Sequence, residues 1–137
     1  MRRFLWLGVC VGCGGSSSGG PSSEAANPCA TPNSTYLETL TEQAGGTCGA
    51  IPSQVINVNA DGTIALPTSI TCASVTQTGC TARDSGCTFS SQGISFSETF
   101  ETTFASDGSS AMGIATISGM GNGQSCSSTY HVSIVRQ

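Results

Sequence analysis

One histidine, eight acidic side chains and eight cysteines carry most of the chemistry open to this chain. Glu98 is the most informative acid. It shares the parity of Ile94, Phe96, Phe100 and Phe104, so a regular strand would carry its carboxylate inward with the rings. A carboxylate in an apolar layer has a raised pKa unless it is paired, and such groups gather at functional sites. The expected alternative is a β-bulge that turns Glu98 outward, or a place near a barrel mouth. Glu38 and Glu42 share a face if their segment is a strand. Paired carboxylates can hydrolyse glycosides, but nothing places these two about a cleft, so a solvated face is expected. His131 alternates with Tyr130 and Val132 and should face solvent. A serine nucleophile needs a sharp turn with a base in reach, and no Gly-x-Ser-x-Gly occurs. No catalytic residue is expected, and the chain reads as a non-enzyme.

Cysteine use points to an oxidising compartment. Cys10 and Cys13 lie in the N-terminal stretch; Cys29, Cys48, Cys72, Cys80, Cys87 and Cys126 remain. An even set in an exported chain implies disulfides, whose pairing spacing alone leaves open. A hairpin staple Cys80–Cys87 is the one pairing offered as an expectation. Each bridge adds typically about 2–4 kcal/mol, mainly by restricting the unfolded chain. A zinc knuckle is not expected, because seven and six residues separate Cys72, Cys80 and Cys87. Asp61-Gly62 and Asp107-Gly108 lack the further carboxylates of a calcium loop. Neither a phosphate loop nor a dinucleotide fingerprint is present, so no metal and no cofactor are expected.

The elements that must position these residues are strands. Charged residues are 9% of the 137-residue chain and lysine is absent. Thr, Ser, Asn and Gln supply the polarity, and β-branched Thr suits a pleated surface. Ile94 to Phe104 is the clearest strand. Met112, Ile114 and Thr116 share a face after the Asp107-Gly108 turn. Gly119 to Gly123 reads as the next turn, and Tyr130, Val132 and Ile134 alternate with Thr129, His131 and Ser133. Gln54 to Asn59 and Thr63 to Leu66 flank Asp61-Gly62 as a hairpin. Thr35 to Gln43 carries a capping-box pattern, but its threonines favour a strand. The expected fold is all-β: a small antiparallel barrel or sandwich, mostly an up-and-down meander, stapled by disulfides.

Met1-Arg2-Arg3 precedes the apolar run Phe4 to Gly12. Nine helical residues rise only about 14 Å, short of a roughly 30 Å hydrocarbon core, so the run reads as an export signal. Val11-Gly12-Cys13 resembles the lipobox of bacterial lipoproteins, in which small residues precede an acylated cysteine. Cys10 stands where that family usually has Leu. The register ending at Cys10 would put Val9 before the cysteine, where a small residue is normal, so Cys13 is the expected lipidation site. Gly14 after it fits the outer-membrane route of diderm bacteria. The expected organisation is a signal peptide at 1–12, a Gly/Ser-rich flexible tether at 13–28 and a disulfide-rich β domain at 29–137.

Without Arg2 and Arg3, eight acids stand against Arg83 and Arg136, a net charge of −6. This excludes a nucleic-acid partner, which needs clustered Lys and Arg, and an electrostatic hold on anionic lipid. The membrane is the expected partner only through the lipid. The leading expectation is a lipid-anchored envelope protein that binds or builds rather than catalyses. The second rests on analogy: the Thr-rich meander resembles small lipocalin-like barrels, which implies an apolar ligand lined by Phe96, Glu98, Phe100, Phe104 and Tyr130. A hydrolase or a protease inhibitor ranks below both.

Overall fold

The computed structural model describes residues 26–65, 70–91 and 93–137. Among these residues seven strands form one antiparallel sheet: β1 (Ser34–Glu42), β2 (Gln54–Val58), β3 (Ser74–Thr78), β4 (Thr81–Ser91), β5 (Ile94–Phe104), β6 (Ser110–Gly121) and β7 (Gln124–Arg136). Their spatial order is β2-β1-β7-β6-β5-β4-β3, curled into a half-barrel. From β3 to β7 the chain is a meander, and β1 returns to pair with β7. Every sequential pair of strands is hydrogen-bonded except β2 and β3, which form the two edges. A sheet in the order of an up-and-down barrel is thus left open along one seam.

The strand at 35–43 is present as β1, because every second residue of it has a buried surface to meet. Tyr36, Glu38 and Leu40 are buried, while Thr35, Leu37 and Thr41 face out. Among the described residues, the expected second arm of the Asp61-Gly62 hairpin contributes a single bridge, Val58↔Ile64, and Leu66 lies outside them. Asp61 Oδ1 accepts from the Thr63 amide at 3.0 Å, and Asp107 Oδ1 accepts from the Ser109 amide at 2.9 Å, so both Asp-Gly turns close alike. The expected turn at Gly119 to Gly123 is shorter: β6 runs through Gly121, and Asn122-Gly123 alone reverses the chain at φ 52° and 74°. Positive φ at both central residues makes it a two-residue turn whose twist matches the flanking strands.

Inside the curl, side chains form a regular matrix. β4 presents Asp84, Cys87 and Phe89; β5 answers with Phe100, Glu98 and Phe96; β6 follows with Ala115, Ile117 and Gly119. β6 is small where its neighbours are large. A Cβ on Gly119 would lie 2.6 Å from the Phe96 ring, so the glycine makes room for that ring. One end of the half-barrel is packed solid. Tyr36 meets Phe104 edge-on at 5.7 Å, and its hydroxyl donates to Gly108 O at 2.8 Å. Asn27 is buried beneath, donating to Cys80 O at 3.2 Å.

Among the described residues three disulfides form, Cys29–Cys80, Cys48–Cys126 and Cys72–Cys87. The expected Cys80–Cys87 staple is corrected: both residues lie on the β4 side, but Cys80 turns to the packed end while Cys87 points into the concave face. Cys13, the signal at 1–12 and the expected tether up to residue 25 lie outside the described residues.

Candidate functional site

The other end of the half-barrel is hollow. A cavity of about 490 Å³ occupies the concave face. That is within the usual size range of small-molecule sites. Aromatic rings come from β4 and β5, where Phe89 and Phe96 are cross-strand partners stacked 5.0 Å apart. Phe100, Tyr130, Ile117 and Leu40 continue the apolar wall, and Ile56, Ile64 and Ile70 approach from the open seam.

Two loops wall the site, and covalent bonds hold both. Cys48–Cys126 ties the 43–51 segment to β7, and both cysteines line the cavity. Ser128 is buried beside them and satisfies the loop's backbone: its hydroxyl accepts from the amides of Thr47 and Cys48 at 2.9 and 2.8 Å and donates to Glu42. Tyr130 donates to Gly49 O at 2.8 Å. On the far side, Cys72–Cys87 fastens the segment before β3 to β4. A β-bulge at Ser85-Gly86 keeps Asp84 and Cys87 on the same face across the register shift, with Gly86 at φ +62°.

Three carboxylates enter this apolar space from three strands. Glu38 of β1 is 4% exposed and sits directly opposite Gln54 of β2, whose amide donates to it. Asp84 of β4 is 3% exposed. Glu98 of β5 lines the cavity between the Cys87 and Ile117 positions. Burial raises the Glu38 pKa above the usual carboxylate range, with the Gln54 hydrogen bond opposing it. Burial, then the nearby charges of Glu38 and Asp84, push Glu98 up to about 7. The expected bulge does exist, but on β4. It leaves β5 regular, so Glu98 stays inward.

Of the five expected lining residues, Phe96, Glu98, Phe100 and Tyr130 meet in this cavity. Phe104 does not; it belongs to the packed end. The solvated-face expectation is corrected for Glu38. Glu38 shares the inward parity of Tyr36 and Leu40, so it is buried in the cavity wall. Glu42 braces the 43–51 loop, and the Ser128 hydroxyl followed by the Gly49 amide lowers its pKa. His131 faces solvent from the convex side, as its parity implies. Asp84 and Gln54 escaped sequence reading. The Asp84 parity is hidden by the bulge two residues on, and Gln54 matters only through its register with Glu38.

Among the described residues, one group brings metal-binding side chains together: Cys72, Asp84 and Cys87, within 4.8 Å. The disulfide consumes both sulfurs, leaving one carboxylate, which is no metal site. No helix among the described residues is long and apolar enough to cross a membrane. No family model, curated protein or solved structure matches this chain.

Proposed function

We propose that this protein is an exported, lipid-anchored, non-enzymatic binding protein of the bacterial cell envelope, and that it holds a small, largely apolar molecule inside its half-barrel. The cavity of about 490 Å³ carries this reading. A purely structural module gains nothing from a hollow core, since an unfilled apolar space forfeits dispersion contacts. Two of the three disulfides lie in the cavity wall rather than in the packed end, as suits a site whose shape must persist without a ligand. The three disulfides also fit an oxidising, exported location. Anchoring to the outer membrane through Cys13 rests on the lipobox resemblance. Hydrolysis is the weaker reading. The cavity brings carboxylates together, but no histidine lines it and its walls are mostly apolar, so a developing oxyanion would find few donors.

Titration of the disulfide-intact protein with a neutral, environment-sensitive fluorophore such as N-phenyl-1-naphthylamine tests the proposal. One saturable site is expected. Ile56→Trp, which fills space from an edge strand, should weaken binding by about tenfold while the unfolding midpoint holds. Absence of saturable binding, or the same affinity in the filled variant, would refute a cavity ligand.

A further inference from the structure

The cavity is apolar in shape but not in charge. Glu38, Asp84 and Glu98 reach it from β1, β4 and β5, and no Lys, Arg or His stands among its described lining residues. The described basic side chains lie elsewhere. Arg83 pairs with Glu101 at 3.6 Å on the convex face, with both side chains more than half exposed. Arg136 is exposed at the packed end and donates to Thr31 Oγ1 at 3.0 Å. His131 faces solvent, and Arg2 and Arg3 precede Cys13, so they would leave with the signal. In a low-dielectric cavity a carboxylate attracts a cation more strongly than it does in water. The same walls carry Phe89, Phe96, Phe100 and Tyr130, whose ring faces attract cations.

We infer that the cavity selects an organic cation: an apolar body bearing one protonated or quaternary amine, seated against Glu38, Asp84 and Glu98. The inference rests on the cavity being a ligand site and adds the charge of its ligand. An anionic amphiphile such as a fatty acid would meet three carboxylates and no cation. A neutral one would fill the space without any charge attraction to the carboxylates.

Protons and ligand compete for the same groups. The groups facing Glu98 are Cys87 and Asp84 from β4, Ile117 from β6 and Glu38 from across the interior; none is basic. Without ligand, burial and those neighbouring charges keep Glu98 protonated up to about pH 7. A bound cation favours the ionised form and releases the proton, so affinity should rise from pH 5.5 to pH 8.

Calorimetric titration with decyltrimethylammonium, decanol and decanoate, below their aggregation concentrations, separates the outcomes. The quaternary head does not titrate, so any pH dependence belongs to the protein. At pH 8 the cation should bind at least about tenfold more tightly than decanol, and decanoate should bind worst. That preference should shrink at pH 5.5 and in Glu98→Gln, while Glu98→Gln leaves decanol affinity unchanged. Glu101→Gln, on the convex face, should change nothing. Equal binding of cation and decanol, or a preference that survives in Glu98→Gln but falls in Glu101→Gln, overturns the cation assignment and leaves the cavity reading standing. Failure of all three ligands to bind overturns both.

Discussion

Glu98 connects the chemistry of one residue to the behaviour of the whole protein. Its folded pKa of about 7 lies above that of an exposed glutamate, so the folded state holds an extra proton between roughly pH 4.5 and 7. Stability from this group is therefore full at low pH, is lost as pH rises through that window, and is level above it. Glu38, also raised, acts in the same direction. Replacing Glu98 with Gln should stabilise the ligand-free protein by up to about 3 kcal/mol at pH 8 and by almost nothing at pH 4. Urea unfolding with the disulfides intact measures both, and an unchanged midpoint at pH 8 would show that the carboxylate is not held in a low-dielectric site. The inward direction of Glu98 follows from strand parity alone. Its proximity to Glu38 does not, because 60 residues and the curl of the sheet separate them.

At the scale of elements, loops rather than strands complete the cavity, and disulfides hold those loops. Cys48 and Cys126 are 78 residues apart and Cys72 and Cys87 are 15 apart. Loop-closure entropy makes the first bridge worth about 4.5 kcal/mol and the second about 3. The double variant Cys48→Ala/Cys126→Ala should lower the unfolding midpoint more than Cys72→Ala/Cys87→Ala, and each should weaken the neutral fluorophore by opening one wall. Thermal melts and the fluorophore titration read the two effects separately; equal affinity in both variants would mean that the loops do not shape the site. Gly119 works by the opposite device. It leaves the space that the Phe96 ring occupies, so Gly119→Val should displace that ring into the cavity and cost affinity.

At the scale of the molecule, two properties separate. The half-barrel is closed and solid at the Tyr36–Phe104 end and hollow at the other, with its open seam between β2 and β3. Full reduction should unfold it, because the packed end alone holds few large apolar side chains; a melt unchanged by strong reductant would contradict this. Location is a separate proposal, resting on the lipobox resemblance of Val11-Gly12-Cys13. Metabolic lipid labelling should mark the wild type and be lost in Cys13→Ala; label retained in that variant would point to Cys10 or to another route of export.

Local pattern alone determines much of this protein, without any tertiary contact. Alternation marked β5 from end to end, Asp-Gly punctuation marked the turn after it, and an even set of cysteines marked the disulfides. Period-two parity also sent Phe96, Glu98, Phe100 and Tyr130 inward, since a strand leaves its side chains only two directions. What parity cannot say is which inward-facing residues meet. Met112 and Ile114 share a face, yet it is the convex one, at 73% and 50% exposure, because small Ala111, Ala115 and Gly119 take the crowded inside of the curl. Disulfide pairing, the Glu38–Gln54 register and the approach of Glu38 and Asp84 to Glu98 were likewise decided by curvature and strand order. Those depend on contacts between residues far apart in the chain, where the spacing of neighbours carries no information.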